Sequence, residues 1–99
     1  MPTAIANINH TWDYKLPGGC LVHEDMEFRC SVEARYEGDE YYDFEFTGIE
    51  VSLFNVETNE WIWLSLPEEW LPAFKRYMDT DDMVFRLVEW LSEAREEAA

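Results

Sequence analysis

The sequence predicts an α+β fold: a four- to five-stranded antiparallel meander sheet within residues 6–66, followed by two C-terminal helices within residues 67–97 packed on one face. Three observations carry this expectation. Apolar and polar residues alternate along the first two-thirds of the chain, apolar residues recur at helical spacing in the last third, and Gly, Pro, Asn and Asp punctuate the runs between. The 99 residues suit one domain, spanning 1–99, and 47% hydrophobic content supplies the apolar surface that folding needs.

The first strand runs from Ala6 to Leu16, where Ala6, Ile8, His10, Trp12, Tyr14 and Leu16 alternate with Asn7, Asn9, Thr11, Asp13 and Lys15 until Pro17-Gly18-Gly19 breaks the pattern. The second is clearer. Met26, Phe28, Cys30, Val32, Ala34 and Tyr36 face one way, and Glu27, Arg29, Ser31, Glu33, Arg35 and Glu37 the other. Tyr42, Phe44 and Phe46 continue the apolar set on even numbers, which predicts an odd-length loop centred on Asp39 that pairs Tyr36 with Tyr42, Ala34 with Phe44 and Arg35 with Asp43. At Gly48 the set moves to Ile49, Val51 and Leu53, as one inserted residue at a glycine bulge would produce. A two-residue Thr58-Asn59 hairpin then pairs Leu53 with Leu64, Phe54 with Trp63 and Val56 with Trp61. That makes this end of the sheet apolar on both faces, so the N-terminal segment, a helix or a partner is expected over the tryptophans.

Pro67-Glu68-Glu69 opens a short helical turn over residues 67–71, and Pro72 marks the start of a helix that ends near Met78. Asp79 or Thr80 caps the last helix, in which Met83, Val84, Leu87, Val88 and Leu91 form an apolar stripe against the sheet; residues 93–99 continue helix-prone.

The 22 Asp and Glu against 7 Lys and Arg leave a net charge of −15, which repels phosphate and excludes direct nucleic-acid binding. The longest unbroken apolar run is Trp61-Ile62-Trp63-Leu64, and residues 1–7 have no basic n-region or apolar h-region, so neither membrane insertion nor export is expected. A cytoplasmic setting with Cys20 and Cys30 reduced fits best. His10, Cys20, His23 and Cys30 could supply zinc ligands but lack a C-x-x-C or H-x-x-x-H half-site, and Cys30 falls on a core face. Asp79, Asp81 and Asp82 echo a calcium loop, but Val84 stands where its turn glycine belongs and helix capping explains them better. No triad, phosphate loop or dinucleotide fingerprint is present, and with 22 carboxylates a pair such as Glu24-Asp25 arises by chance. The expectation is a protein without catalytic residues, metal or cofactor.

What remains is the distribution of acid. Glu37, Asp39, Glu40, Asp43 and Glu45 cluster on one hairpin, Glu33 falls opposite Glu45, Glu50 follows on the same strand, and only Arg29 and Arg35 interrupt them. Alternate strand residues stand about 6.6 Å apart, comparable to phosphates along a nucleic-acid strand. Such a ladder predicts a binding face for a basic, nucleic-acid-binding protein, with Tyr41, Trp61 and Trp63 as desolvated anchors. A solvated acidic face without a partner, halophilic adaptation, and a structural or assembly factor are the competing readings. In the last, a homodimer would be joined through the Trp61/Trp63 face and acidity would serve solubility. In size, charge and aromatic content the chain resembles the small phage-encoded inhibitors of host nucleases, the anti-CRISPR and anti-restriction DNA mimics. That resemblance implies stoichiometric protein binding without catalysis, in a host cell's cytoplasm; those inhibitors share no common fold, so it assigns no individual residue.

Overall fold

The computed structural model describes residues 2–16 and 18–98; Pro17, the expected strand breaker, and Ala99 lie outside the described residues. Strands β1 (Thr3–Lys15), β2 (Leu21–Glu37), β3 (Glu40–Asn55) and β4 (Glu60–Ser65) form one antiparallel sheet in the order β1-β2-β3-β4. A single 3₁₀ turn, Glu68–Trp70, leads into α1 (Leu71–Met78), and α2 (Asp81–Ala98) closes the chain. The meander and both helices match the sequence expectation, with four strands.

The alternation translates directly into layers. Ala4, Ala6, Ile8, Trp12 and Tyr14 of β1 and Met26, Phe28, Cys30, Val32 and Ala34 of β2 are buried on one face, beneath Phe74 and Met78 of α1 and Met83, Leu87 and Leu91 of α2. Full burial of each large side chain contributes roughly 1.5–3 kcal/mol. Phe74 sits at the centre, its ring edge-on to Trp12, Phe28 and Phe46 at centroid distances of 5.5, 5.2 and 5.8 Å. Thr80 caps α2: its Oγ1 accepts from the Met83 N–H at 3.4 Å and its carbonyl from the Val84 N–H at 2.9 Å. The molecule measures 47 × 31 × 19 Å. Its least dimension is one sheet plus one layer of helices, because both helices lie on the same face.

Two expected registers are corrected. The β2–β3 connection is a two-residue Gly38-Asp39 turn that pairs Glu37 with Glu40 and Tyr36 with Tyr41. Gly38 adopts φ 61°, as a II′ turn requires of its first central residue. The parity that an odd loop would have supplied comes instead from a bulge: Arg35 pairs with Tyr42 and Glu33 with Glu45, so Asp43 and Phe44 together oppose Ala34, with Asp43 at φ 56°. Asp tolerates this left-handed geometry because its short polar side chain bonds locally. Tyr42 therefore joins the face of Arg35, and Tyr41 turns to the helix side. The bulge at Gly48 is as expected, with φ 59° between the pairs Ser31/Thr47 and Arg29/Glu50.

The last hairpin is also shifted, by two residues. Its loop has four residues, 56–59, and the pairs are Asn55/Glu60, Phe54/Trp61, Leu53/Ile62, Ser52/Trp63 and Val51/Leu64. The longer loop is favoured because Asn55 Oδ1 accepts from the Glu57 N–H at 3.0 Å and Asn59 takes φ 57°. A shift of two keeps every side chain on its face.

Because Asp43 carries left-handed strain, Asp43→Gly should change stability by less than about 0.5 kcal/mol, whereas Asp43→Val should lose roughly 1–3 kcal/mol. Urea denaturation of the two variants checks the pair of values.

Candidate functional site

Each strand of the sheet has a second face, and among the described residues no helix or further strand covers it. It carries the odd-numbered residues of β1 and those of β2 from Glu27 onward, Thr47 and Glu45 of β3 before Gly48, Glu50, Ser52 and Phe54 after it, and Trp61 and Trp63 of β4. Neither the N-terminal segment nor a helix covers the tryptophans: Trp61 is 70% exposed and Phe54 44%.

The acidic candidates gather at the β2–β3 hairpin end of this face. Glu33 stands directly across from Glu45, and Glu37 across from Glu40, so two rungs of the ladder set carboxylate against carboxylate. Opposed side chains in a sheet have Cβ atoms about 4.5–5.5 Å apart, and like charges there are destabilising. Three residues of β2 stand between the rungs, a rise of about 13 Å from Glu33 to Glu37. Between them lies Arg35, whose guanidinium reaches Asp43 at 3.9 Å. Arg29 pairs with Glu50 at 2.8 Å and lies 4.1 Å over the Trp63 ring, which half-buries that tryptophan. Among the described residues, neither glutamate rung has a salt-bridge partner. Asp39 is exposed in the turn itself. Glu33, Glu37, Glu40, Asp43 and Glu45 thus share one end of the face with Asp39 beside them, while Glu50 is drawn toward the tryptophan end by Arg29.

Tyr41 does not belong to this surface, and the exposure expected of it is corrected. The odd-loop reading turned it outward; the two-residue turn turns it inward, where it is half-buried and its hydroxyl lies 3.1 Å from Ser92 Oγ and accepts from Arg95 Nη1 at 3.0 Å. The same Arg95 nitrogen donates to the Gly38 carbonyl at 3.0 Å, and its guanidinium lies 3.7 Å over the Tyr36 ring. The hydrogen bond to Tyr41 holds the guanidinium's pKa above its ordinary value. Together these contacts tie the acidic hairpin tip to α2 and hold the rungs in place. Sequence reasoning missed Arg95 and Ser92 because their role depends on the turn length; Tyr42, on the open face, was missed for the same reason.

The ligand candidates are scattered. Cys30 is buried in the core, where desolvation pushes its thiol up to about 12, and Cys20 is exposed. His10 lies against Trp90 and Phe28, with its pKa lowered by burial and by Arg86, and His23 lies near Trp70. Among the described residues, no group of three or more His, Cys, Asp or Glu side chains could hold a metal ion, and no helix is long and apolar enough to cross a membrane. No family model, no curated protein and no solved structure matches the chain.

Replacing Tyr41 with Phe removes the hydroxyl shared by Ser92 and Arg95 and should lower stability by about 0.5–1.5 kcal/mol. Thermal and urea unfolding measure it, and amide exchange across residues 36–41 should accelerate alongside.

Proposed function

We propose that this protein is a non-catalytic, stoichiometric inhibitor whose acidic sheet face occupies the basic nucleic-acid groove of a target protein. The observation that carries this reading is the pair of glutamate rungs, Glu33/Glu45 and Glu37/Glu40, on a face left open by the fold. Opposed carboxylates cost the fold, and an arrangement that costs stability while neighbouring positions hold arginine calls for a use outside the fold. Rows of carboxylate across two strands present a basic groove with the regular negative charge it otherwise meets in phosphates. The compositional resemblance to phage-encoded DNA mimics supports the same class of target and implies an encounter in a host cell's cytoplasm. The face needs no bound cofactor to act, since long-range attraction sets the encounter rate and direct ion pairs the specificity.

The double variant Glu33→Lys with Glu40→Lys tests the proposal. Each lysine faces a remaining glutamate, so the fold should gain roughly 0.2–1 kcal/mol per rung while the surface loses its mimicry. In pull-downs from bacterial lysate, wild type should retain nucleic-acid-binding proteins at low salt, release them at about 0.5 M salt and compete with DNA or RNA for them. The variant should retain none. Retention that ignores salt, or that survives both reversals, contradicts the proposal.

A further inference from the structure

The geometry points to β4 as the docking edge for an extended, arginine-bearing segment of a partner protein, added antiparallel as a fifth strand. β4 ends the sheet, so one side of its backbone has no partner strand among the described residues. The Leu66 N–H donates to the Ile49 carbonyl at 2.9 Å; in the same register Ile62 and Leu64 turn their backbone groups to β3, while Trp61, Trp63 and Ser65 turn theirs outward. Natural edge strands are protected by lysine, proline, a bulge or a covering element. β4, Glu-Trp-Ile-Trp-Leu-Ser, has no lysine, no proline and no bulge against β3.

The side chains of β4 specify what must alternate on the added strand. On the open face Trp61 is exposed, its ring edge-on to Phe54 at 5.5 Å. The next ring along, Trp63, already holds a guanidinium: Arg29 lies 4.1 Å over it and donates to Glu50 at 2.8 Å. Among the described residues no cation lies over Trp61. On the helix side, where the helices concentrate over β1 and β2, Ile62 is half-buried and Leu64 is 43% exposed. Cross-strand neighbours share a face, so the added strand sets arginine on the tryptophan side and an apolar residue across from Ile62 and Leu64.

Charge selects a basic occupant. From Tyr36 to Phe74, which spans β3, β4 and the 3₁₀ turn, the chain has ten carboxylates and no lysine or arginine. Glu57 and Glu60 stand at one end of β4, and Glu68 and Glu69 follow the other, all four exposed. An acidic strand, a nucleic acid or a second copy of this chain would bring like charge to this edge. Guanidinium groups instead meet carboxylates at both ends and aromatic rings between them, as Arg29 already does with Glu50 and Trp63. The glutamate rungs join β2 to β3 within residues 33–45, whereas β4 pairs with residues 50–55, so the two surfaces are separate and the docking edge does not rest on the proposed function.

Calorimetric titration of the full chain with the end-blocked peptide Arg-Val-Arg-Val-Arg-Val, in about 0.15 M salt, is the test. It should bind at least about tenfold more tightly than Arg-Arg-Arg-Val-Val-Val, which has the same charge but cannot set arginine and valine on opposite faces of a strand. Methylating the arginine backbone nitrogens, which face β4 in antiparallel pairing, should weaken binding at least about tenfold, and methylating the valine nitrogens, which face away, less than about threefold. Amide exchange at Trp61, Trp63 and Ser65 should slow when the peptide is added, while exchange in β1 stays unchanged. Trp61→Ala, at an exposed position, should weaken binding at least about fivefold with circular dichroism unchanged. Glu33→Lys with Glu40→Lys should leave the preference for the alternating peptide in place, which separates a failure at this edge from a failure of the acidic face. No binding of the alternating peptide, equal binding of the two peptides, indifference to arginine methylation, unaltered β4 exchange, or undiminished binding by Trp61→Ala would each overturn the inference.

Discussion

The structure depends on three strands presenting the same face to one phenylalanine. Phe74 packs edge-on against Trp12, Phe28 and Phe46, one ring from each of β1, β2 and β3. Strand side chains alternate, so a register error of one residue in either hairpin would turn a ring away from α1 and put a polar or charged side chain in its place. The sheet meets this constraint with residues in left-handed geometry: Asp25 at φ 48° where β2 bulges against β1, Asp43 at φ 56° and Gly48 at φ 59° in β3. Each takes up one extra residue and returns the apolar set to the helices. Asp25 is further fixed by its N–H donating to Asp13 Oδ1 at 2.8 Å.

The same bulges decide what the open face displays. With β3 reset at Asp43, Glu45 lands opposite Glu33; with the two-residue turn, Glu40 lands opposite Glu37 and Tyr41 goes inward to meet Ser92 and Arg95. Two of the chain's few arginines are spent on this surface beside Glu50 and Asp43, and neither reaches a glutamate rung. The face therefore divides into a carboxylate end and a tryptophan end, joined by Arg29, which pairs with Glu50 and covers Trp63. Charged and apolar side chains are thus separated along one surface, and salt screens the field of the first and not the apolar character of the second.

Much of this was legible in the sequence because side-chain alternation is a strong local signal. The apolar runs of β1 and β2, the bulge at Gly48, the helical turn before Pro72 and the stripe Met83, Leu87, Leu91 follow from periodicity and from glycine and proline chemistry. The Glu33/Glu45 pair was legible as well. The illegible part was parity at Asp43: aspartate in left-handed geometry leaves no trace as clear as glycine's, so parity was assigned to the loop instead, and Tyr41 and Tyr42 exchanged faces. Residues 21–25 were missed as strand because they are exposed and contain the Asp25 bulge, which interrupts alternation. The hairpin at Asn55 was misread by two residues because an asparagine side chain, rather than the backbone, fixes its loop.

Cross-strand nuclear Overhauser contacts between β2 and β3 in the labelled protein test the central claim most directly, since they report which residues face each other in solution. The account predicts contacts between Tyr36 and Tyr41 and between Glu33 and Glu45, with the ladder interrupted at Asp43. An unbroken ladder that pairs Tyr36 with Tyr42 and Arg35 with Asp43 would contradict it, and would take the glutamate rung at Glu37 and Glu40 with it.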